Sequence, residues 1–290
     1  MALVKLLMLF MAVASLAYLI LCAWLWWAQR WLMFIPSARL DTTPGDLGWT
    51  YETLVIPVPG GGYLQGWWLP AEPSVPLTFL YLHGNTGNMA TSLDRVDLLR
   101  SLGASVLAID YRGYGQSSGP FASESRLYDD ALAAYQFLHQ EKGVAPENLV
   151  VYGHSLGGAI GLELAMRVEA IAALVVESSF TSMADMVALS AYNRWFPVRW
   201  LVNQHFNSLA RASQLRPPVL YIHGLEDRYI PAVMSDRLYQ ATASPKELWL
   251  VPGEGDNDLH NTLINWARED FKARLQDFLR RYAPLSLVKT

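Results

Sequence analysis

The sequence predicts an α/β domain with a mostly parallel, eight-stranded sheet, preceded by an N-terminal apolar helix. Two observations carry this prediction. Short apolar runs alternate with helical patterns through most of the chain, and such alternation is typical of parallel strands joined by crossover helices. Ahead of them, residues 6–28 include no charged side chain. We therefore expect helices on both faces of one sheet, with functional groups at the carboxyl ends of its strands.

The apolar stretch over residues 6–28 is long enough to cross a membrane. At about 1.5 Å per residue it spans roughly 34 Å, against about 30 Å for a hydrocarbon core. Its far end holds a cluster of indole side chains, which prefer the headgroup layer: Trp24, Trp26, Trp27 and Trp31. We expect a retained single-pass membrane anchor over residues 1–30. A cleaved signal peptide and a buried soluble helix are the alternatives, and the basic residues on both sides leave the orientation open.

A linker over residues 31–48 leads into a single domain over residues 49–290. Roughly 250 residues suit one large domain better than two. The domain opens with two short β-like runs joined across a glycine-rich turn at residues 59–62, which predicts an antiparallel hairpin. Continuous apolar runs follow, as expected of buried parallel strands, over residues 77–82, 105–110, 148–152, 173–176, 219–222 and 247–251. Helical periodicity separates them, as at Leu127, Ala131, Ala134 and Leu138.

Charge and cysteine content exclude several classes of protein. The formal net charge is −4 and no Lys/Arg cluster is present, which argues against a nucleic-acid partner. The single cysteine, Cys22, lies in the apolar stretch, so intrachain disulfides and thiolate metal clusters are excluded. The H-E-x-x-H metal motif is absent. We expect neither a metal nor a cofactor.

The sharpest local signal is Gly153-His154-Ser155-Leu156-Gly157, at the end of one apolar run. A G-x-S-x-G segment between a strand and a helix is the pattern of a nucleophile elbow, whose tight turn lifts the serine hydroxyl above the sheet edge. A chain of this length meets the motif by chance roughly one time in ten. Its weight therefore depends on the groups at the neighbouring strand ends.

Candidate partners of Ser155 follow the other strands. The loop at residues 83–88 has small and amide side chains and can present a bare backbone N–H, which we place at Asn85. This N–H of Asn85 and the N–H of Leu156 would be the two hydrogen-bond donors to the oxyanion. Asp227 follows a later strand and keeps the chain order serine, acid, histidine. Glu177, after the preceding strand, is the reserve acid.

Together these motifs resemble the α/β-hydrolase superfamily, in particular its membrane-anchored serine hydrolases of the Bem46-like kind. The resemblance rests on residues 83–85, 110–115, 153–157 and 223–227 and covers roughly residues 50–282. It implies cofactor-free hydrolysis of an acyl ester, thioester or amide. The substrate would be a small molecule, a lipid or an acylated protein. An insertion at about 181–214 interrupts the sheet pattern, and its aromatic residues predict a small helical cap over an apolar acyl site.

One position departs from this family's pattern. Relatives usually read Gly-His-Asn-Asp after the last strand, whereas here Asp256 stands where the histidine is expected. Its side-chain pKa lies about 2.6 units below that of histidine, which makes it weaker as a base by roughly 3.5 kcal/mol. His260, about one helical turn further on, is the only histidine after Asp227. We predict a triad of Ser155, His260 and Asp227; the alternative is a catalytically impaired or non-catalytic binding or scaffold protein.

Overall fold

The computed structural model describes residues 1–71, 77–252 and 268–283. Its α-helices are α1 (Ala2–Met33), α2 (Leu93–Arg100), α3 (Glu124–Gln140), α4 (Leu156–Arg167), α5 (Met183–Ala188), α6 (Val198–Leu201), α7 (Ser208–Ala212), α8 (Val233–Ala241) and α9 (Arg268–Tyr282). Its strands are β1 (Ile35–Pro36), β2 (Glu52–Pro57), β3 (Tyr63–Leu69), β4 (Thr78–Leu82), β5 (Thr86–Gly87), β6 (Ser105–Ile109), β7 (Leu149–His154), β8 (Ala173–Glu177), β9 (Val219–Gly224) and β10 (Lys246–Val251).

Eight strands form one sheet in the order β2-β3-β6-β4-β7-β8-β9-β10. The hairpin β2–β3 is antiparallel and β3 pairs antiparallel with β6, whereas all pairs from β6 to β10 are parallel. The predicted fold class and its N-terminal hairpin are confirmed. Every residue of β4, β6, β8 and β9 is buried. Because both faces are covered, these strands have continuous apolar runs and not alternating ones.

Two apolar layers hold the helices against the sheet. On one face α3, α4 and α8 bury side chains such as Leu127, Ile160 and Leu238. On the other face α2 and α9 bury Val96 and Leu275. Complete burial of one such side chain contributes about 1.5–3 kcal/mol. These layers fix the strands, and so fix the edge at which their carboxyl ends meet.

The insertion after β8 forms the predicted small helical cap. It consists of α5, a 3-10 turn at Ala191–Arg194 and α6, whereas α7 packs on the body of the domain with Ser208 and Ala212 buried. The end of the cap is tied to the start of α3: Glu124 accepts the backbone N–H of His205 at 2.5 Å and of Phe206 at 2.8 Å. The end of the cap is therefore fixed to a helix of the core.

The N-terminal helix continues directly into the domain. α1 is long and apolar enough to cross a membrane, and its buried residues are Cys22 and Ala28. It ends at Met33, three residues beyond the expected end of the anchor, and β1 then pairs with β5. Residues 31–33 of the expected 31–48 linker therefore complete α1, and Ile35 and Ser37 hydrogen-bond to the loop that follows β4.

Candidate active site

Ser155 lies in a sharp turn between β7 and α4. Its backbone has φ 54° and ψ −116°, a region that non-glycine residues adopt at a cost of about 1–3 kcal/mol. Two hydrogen bonds hold the turn. The N–H of Ser155 donates to the carbonyl of Glu177 at 2.8 Å, and the hydroxyl of Ser179 donates to the carbonyl of Ser155 at 2.8 Å. The strained turn presents the Ser155 side chain to a cavity beyond the sheet edge.

The two glycines of the motif are required by close backbone contacts. A Cβ on Gly153 would collide with the carbonyl oxygen of Gly157, and a Cβ on Gly157 would collide with the carbonyl oxygen of Leu82 in β4. Both obstacles are backbone atoms and cannot rotate away. The elbow therefore needs Gly153 so that α4 can start close to β7, and Gly157 so that α4 can approach β4.

We expect Gly157→Ala to lower the free energy of unfolding by at least about 3 kcal/mol, because the new methyl group must displace a strand. Gly161→Ala is the matched control in the same helix. There the new Cβ would lie 3.1 Å from the movable Cδ1 of Leu174, and alanine gains about 1 kcal/mol of helix propensity over glycine. Thermal unfolding of both variants tests this. Equal melting temperatures for the two would contradict it.

Both expected oxyanion donors border the serine. Leu156 is the first residue of α4, so its N–H has no partner within the helix. Gly84 lies so close that a Cβ there would be 3.5 Å from Cβ of Ser155. In the next residue, Asn85, the carbonyl accepts the N–H of Ile35 and the hydroxyl of Tyr114. Within the described residues no hydrogen bond uses the N–H of Asn85, which leaves it available to a ligand.

The carboxylate of Asp227 is held by hydrogen bonds to one of its oxygens, while the other oxygen has no partner among the described residues. Its Oδ1 accepts the backbone N–H groups of Tyr229 at 2.8 Å and Ile230 at 2.9 Å. Its buried Oδ2 has no hydrogen-bond partner among the described residues. Among the described residues, the imidazole of His223 lies 3.4 Å away, but its Nε2–H donates to the carbonyl of Ile230 at 2.7 Å. An unpaired buried carboxylate oxygen costs a few kcal/mol, and this atom is free to accept a further hydrogen bond.

Glu177, the reserve acid, is committed to another role. Arg95 binds both of its oxygens at 2.8 Å, and the hydroxyl of Tyr152 adds a bond of 2.7 Å. Burial alone raises the pKa of this carboxyl, but the Arg95 charge and these hydrogen bonds outweigh burial and hold the pKa at about 2. Glu177 is thus permanently charged, and its hydrogen bonds connect β8 to β7 and α2. The geometry favours Asp227 as the acid.

No hydrogen bond joins Ser155 to any of the described histidines near it. Burial, and then the charge of Arg95, lower the pKa of His154 to about 3. His83 is buried, with Nδ1 2.7 Å from the carbonyl of Gly84. His223 is held by Ser235 and Ile230 and supports the Asp227 loop. Asp256 and His260 both lie outside the described residues, so the predicted base stays a prediction.

His154 makes a pH-dependent contribution to stability. In the unfolded chain it takes up a proton below about pH 6.5, whereas in the folded protein it stays neutral down to about pH 3. The unfolded state therefore binds the extra proton in this window, and stability falls as the pH falls. Between pH 6.5 and 5 the loss is at most about 2 kcal/mol. We expect the melting temperature of the wild type to drop about 4 °C more than that of His154→Gln from pH 7 to 5. Parallel pH profiles would contradict this.

A cavity of about 980 Å³ opens beside Ser155. It is mostly apolar, with wall residues from the cap that include Met183, Met186, Val198 and Leu201. A second wall comes from α1, through Leu21, Trp24, Leu25, Gln29, Leu32 and Met33. Sequence patterning did not predict this second wall, because α1 is apolar all round and no face of it is marked. A polar residue within α1, Gln29, could have indicated this packing. Its amide donates a hydrogen bond to Leu201 of the cap and accepts one from Asn203.

Comparison with known proteins identifies the family. A family model described as serine aminopeptidase, S33, matches residues 75–211. Rv2307c of Mycobacterium tuberculosis is 36% identical over 239 residues, covering 81% of this chain and 82% of that protein. The Arabidopsis thaliana alpha/beta hydrolase domain-containing protein WAV2 is 29% identical over 276 residues, or 88% and 89% of the two chains. The chain belongs to the α/β-hydrolase superfamily.

A solved structure shows the same hydrolase fold. The Pyrococcus furiosus esterase Pf2001 superposes with a TM-score of 0.71 at 22% identity, covering 86% of this chain and 99% of that one. In the present chain, the carboxyl ends of the strands meet at one edge of the sheet. The candidate site residues all follow these strand ends: Asn85, Ser155, Leu156 and Asp227. Among the residues that the structure describes, no group of His, Cys, Asp and Glu side chains is arranged to hold a metal ion.

Proposed function

We propose that the chain is a membrane-anchored serine hydrolase that cleaves an acyl ester, thioester or amide through an acyl-enzyme. The observation that carries this proposal is Ser155 itself, held in a strained elbow that faces an apolar cavity. Backbone strain of this size persists only where the surrounding structure enforces it, and it is concentrated at functional sites. The buried, unpaired Oδ2 of Asp227 supports a triad whose third member comes from residues 253–267.

The proposed reaction uses Ser155, His260 and Asp227. Oγ of Ser155 attacks the substrate carbonyl carbon while His260 takes the hydroxyl proton. The oxyanion accepts hydrogen bonds from the N–H groups of Leu156 and Asn85, and loss of one such donor typically costs about 100- to 1000-fold in rate. His260 then protonates the leaving group, and a water molecule, activated by His260, releases the acyl group. Asp227 holds the imidazole tautomer and stabilises its cation.

The anchor assignment rests on how α1 is used. The cavity wall includes six residues of α1, and the segment after it pairs with the Asn85 loop. Cleavage of α1 as a signal peptide would remove this wall and open the cavity. A retained helix is therefore part of the proposal, and the enzyme would reside in a membrane.

The test is chemical labelling of the full-length protein in detergent micelles. A fluorophosphonate reacts with an activated serine, and peptide mass mapping then locates the adduct. We expect it on Ser155. The neighbouring Ser179, whose hydroxyl is tied to the Ser155 carbonyl, should carry none. Absence of any adduct would favour the alternative, a hydrolase-fold binding protein without a base, which the aspartate at position 256 specifically supports.

A further inference from the structure

The cap is attached along a long stretch of α1. The hydroxyl of Tyr18 donates to the carbonyl of Trp195 at 2.9 Å, and the Tyr18 ring stacks on Phe196 with centroids 5.9 Å apart. Further along the helix, the amide of Gln29 donates to Leu201 and accepts from Asn203. The contacts run from Tyr18 to Gln29, about 16 Å along the helix axis. The cap thus lies alongside α1, not above its end.

With α1 spanning a bilayer as proposed, this arrangement sets the depth of the cap relative to that bilayer. A hydrocarbon core of about 30 Å takes up roughly 20 helical residues. If the span begins after Lys5, it ends near Leu25, and Tyr18 lies about 10 Å below that end. The carbonyl of Trp195 accepts a hydrogen bond from Tyr18, and the Phe196 ring stacks on the Tyr18 ring. The edge of the cap that touches α1 therefore dips into the apolar layer.

The outer surface of the cap suits that position. Trp195 is 73% exposed and Trp200 is 87% exposed, far more than a soluble protein usually allows for indole side chains. Arg194 and Arg199 are exposed beside them, and residues 186–203 include no acidic side chain. Tryptophan with arginine is the typical composition of a surface at the boundary between lipid tails and anionic headgroups.

The cavity lies between α1 and the cap. α1 contributes one wall and α5 with α6 contribute another, with Ser155, Gly84 and Asn85 at the inner end. Its volume of about 980 Å³ is at the upper end of the roughly 300–1000 Å³ typical of small-molecule sites. An apolar cleft with one side in lipid and a serine at its inner end matches a molecule with a long chain and one reactive carbonyl.

Building on the proposed function, we infer that the substrate is a long-chain acyl ester of a glycerolipid in the same bilayer, which enters sideways between α1 and the cap. Its acyl chain lies against Leu25 and Met186, and its ester carbonyl reaches Ser155. The ester C–O bond breaks and the acyl group passes to Oγ of Ser155, while the lipid hydroxyl leaves with a proton. Water then cleaves the acyl-enzyme to a free fatty acid.

The test compares two esters with the full-length enzyme reconstituted in vesicles of phosphatidylcholine and dioleoylphosphatidylglycerol. Fatty acid release from the vesicle lipid reports on the inference, and hydrolysis of soluble p-nitrophenyl butyrate reports on the proposed function. We expect both activities in the wild type. Butyrate hydrolysis without release of fatty acid would overturn the inference and leave the function standing, whereas loss of both would count against the function itself.

Two sets of variants test the entrance. Trp195→Ser with Trp200→Ser removes membrane contacts outside the cavity and should lower lipid hydrolysis by about tenfold, equivalent to about 1.4 kcal/mol, with butyrate hydrolysis unchanged.

Leu25→Trp narrows the cavity, and Leu19→Trp is the matched control, since Leu19 is 62% exposed on the same helix. Of these two leucine variants, only Leu25→Trp should lower the ratio of lipid to butyrate hydrolysis. Unchanged ratios in all variants, or faster release from a vesicle-bound S-acylated peptide than from the lipid, would overturn the inference.

Discussion

Replacing Ser155 with alanine should lower kcat for p-nitrophenyl butyrate by about 10⁴- to 10⁶-fold, because loss of a triad nucleophile leaves only oxyanion stabilisation and binding. The substitution is conservative for the fold. Alanine meets the same backbone strain as serine at φ 54°, and both hydrogen bonds of the elbow use backbone atoms of residue 155. The melting temperature should therefore change little while activity disappears.

Ser179→Ala is the control for this experiment. It removes the hydroxyl that donates to the Ser155 carbonyl, so it loosens the turn without removing the nucleophile. We expect kcat to stay within about tenfold of the wild type, in line with a loss of one hydrogen bond of about 1 kcal/mol. A Ser155→Ala enzyme that keeps more activity than Ser179→Ala would show that the reaction uses another nucleophile.

Asp227→Asn should lower kcat by about 10⁴-fold, the loss typical of a triad whose histidine is held in the wrong tautomer. The amide oxygen can still accept the N–H groups of Tyr229 and Ile230, so the loop is kept. The amide nitrogen, however, replaces the unpaired Oδ2 and offers a donor where the imidazole needs an acceptor. Steady-state kinetics should show the loss in kcat, with little change in melting temperature.

Glu177→Gln separates the two candidate acids. This change breaks a buried, doubly hydrogen-bonded pair with Arg95, and such losses cost about 3–5 kcal/mol of stability. We therefore expect a clear fall in melting temperature, with kcat per folded molecule nearly unchanged. The opposite pattern, in which Glu177→Gln lowers kcat and Asp227→Asn lowers only stability, would make Glu177 the triad acid.

Local patterns in the sequence were sufficient to predict the sheet and the elbow. Buried parallel strands produce continuous apolar runs such as residues 173–176, and a turn that brings two backbones into contact requires glycine at positions 153 and 157. Both are short-range consequences of sterics and burial. For the same reason the strand-end positions of Asn85 and Asp227 followed from the order of the strands alone.

Long-range packing against a uniformly apolar helix could not be predicted in this way. Residues 31–48 were expected to form a linker, yet Ile35 and Ser37 hydrogen-bond with the Asn85 loop, because the strand edge there offers free backbone groups. The pairing of Glu177 with Arg95 joins residues that are 82 positions apart, and no local pattern marks it. Sequence alone also left Glu177 open as an acid, and its two bonds to Arg95 argue against that role.

The proposed role of His260 as the base, in spite of Asp256, is tested by the rate at which a fluorophosphonate modifies Ser155. The full-length wild type should react quickly, and His260→Ala should react at least about 10³-fold more slowly, because the serine then has no proton acceptor. If the wild type reacts no faster than His260→Ala, and Asp256→His raises the rate, the base is missing and the proposed triad is wrong.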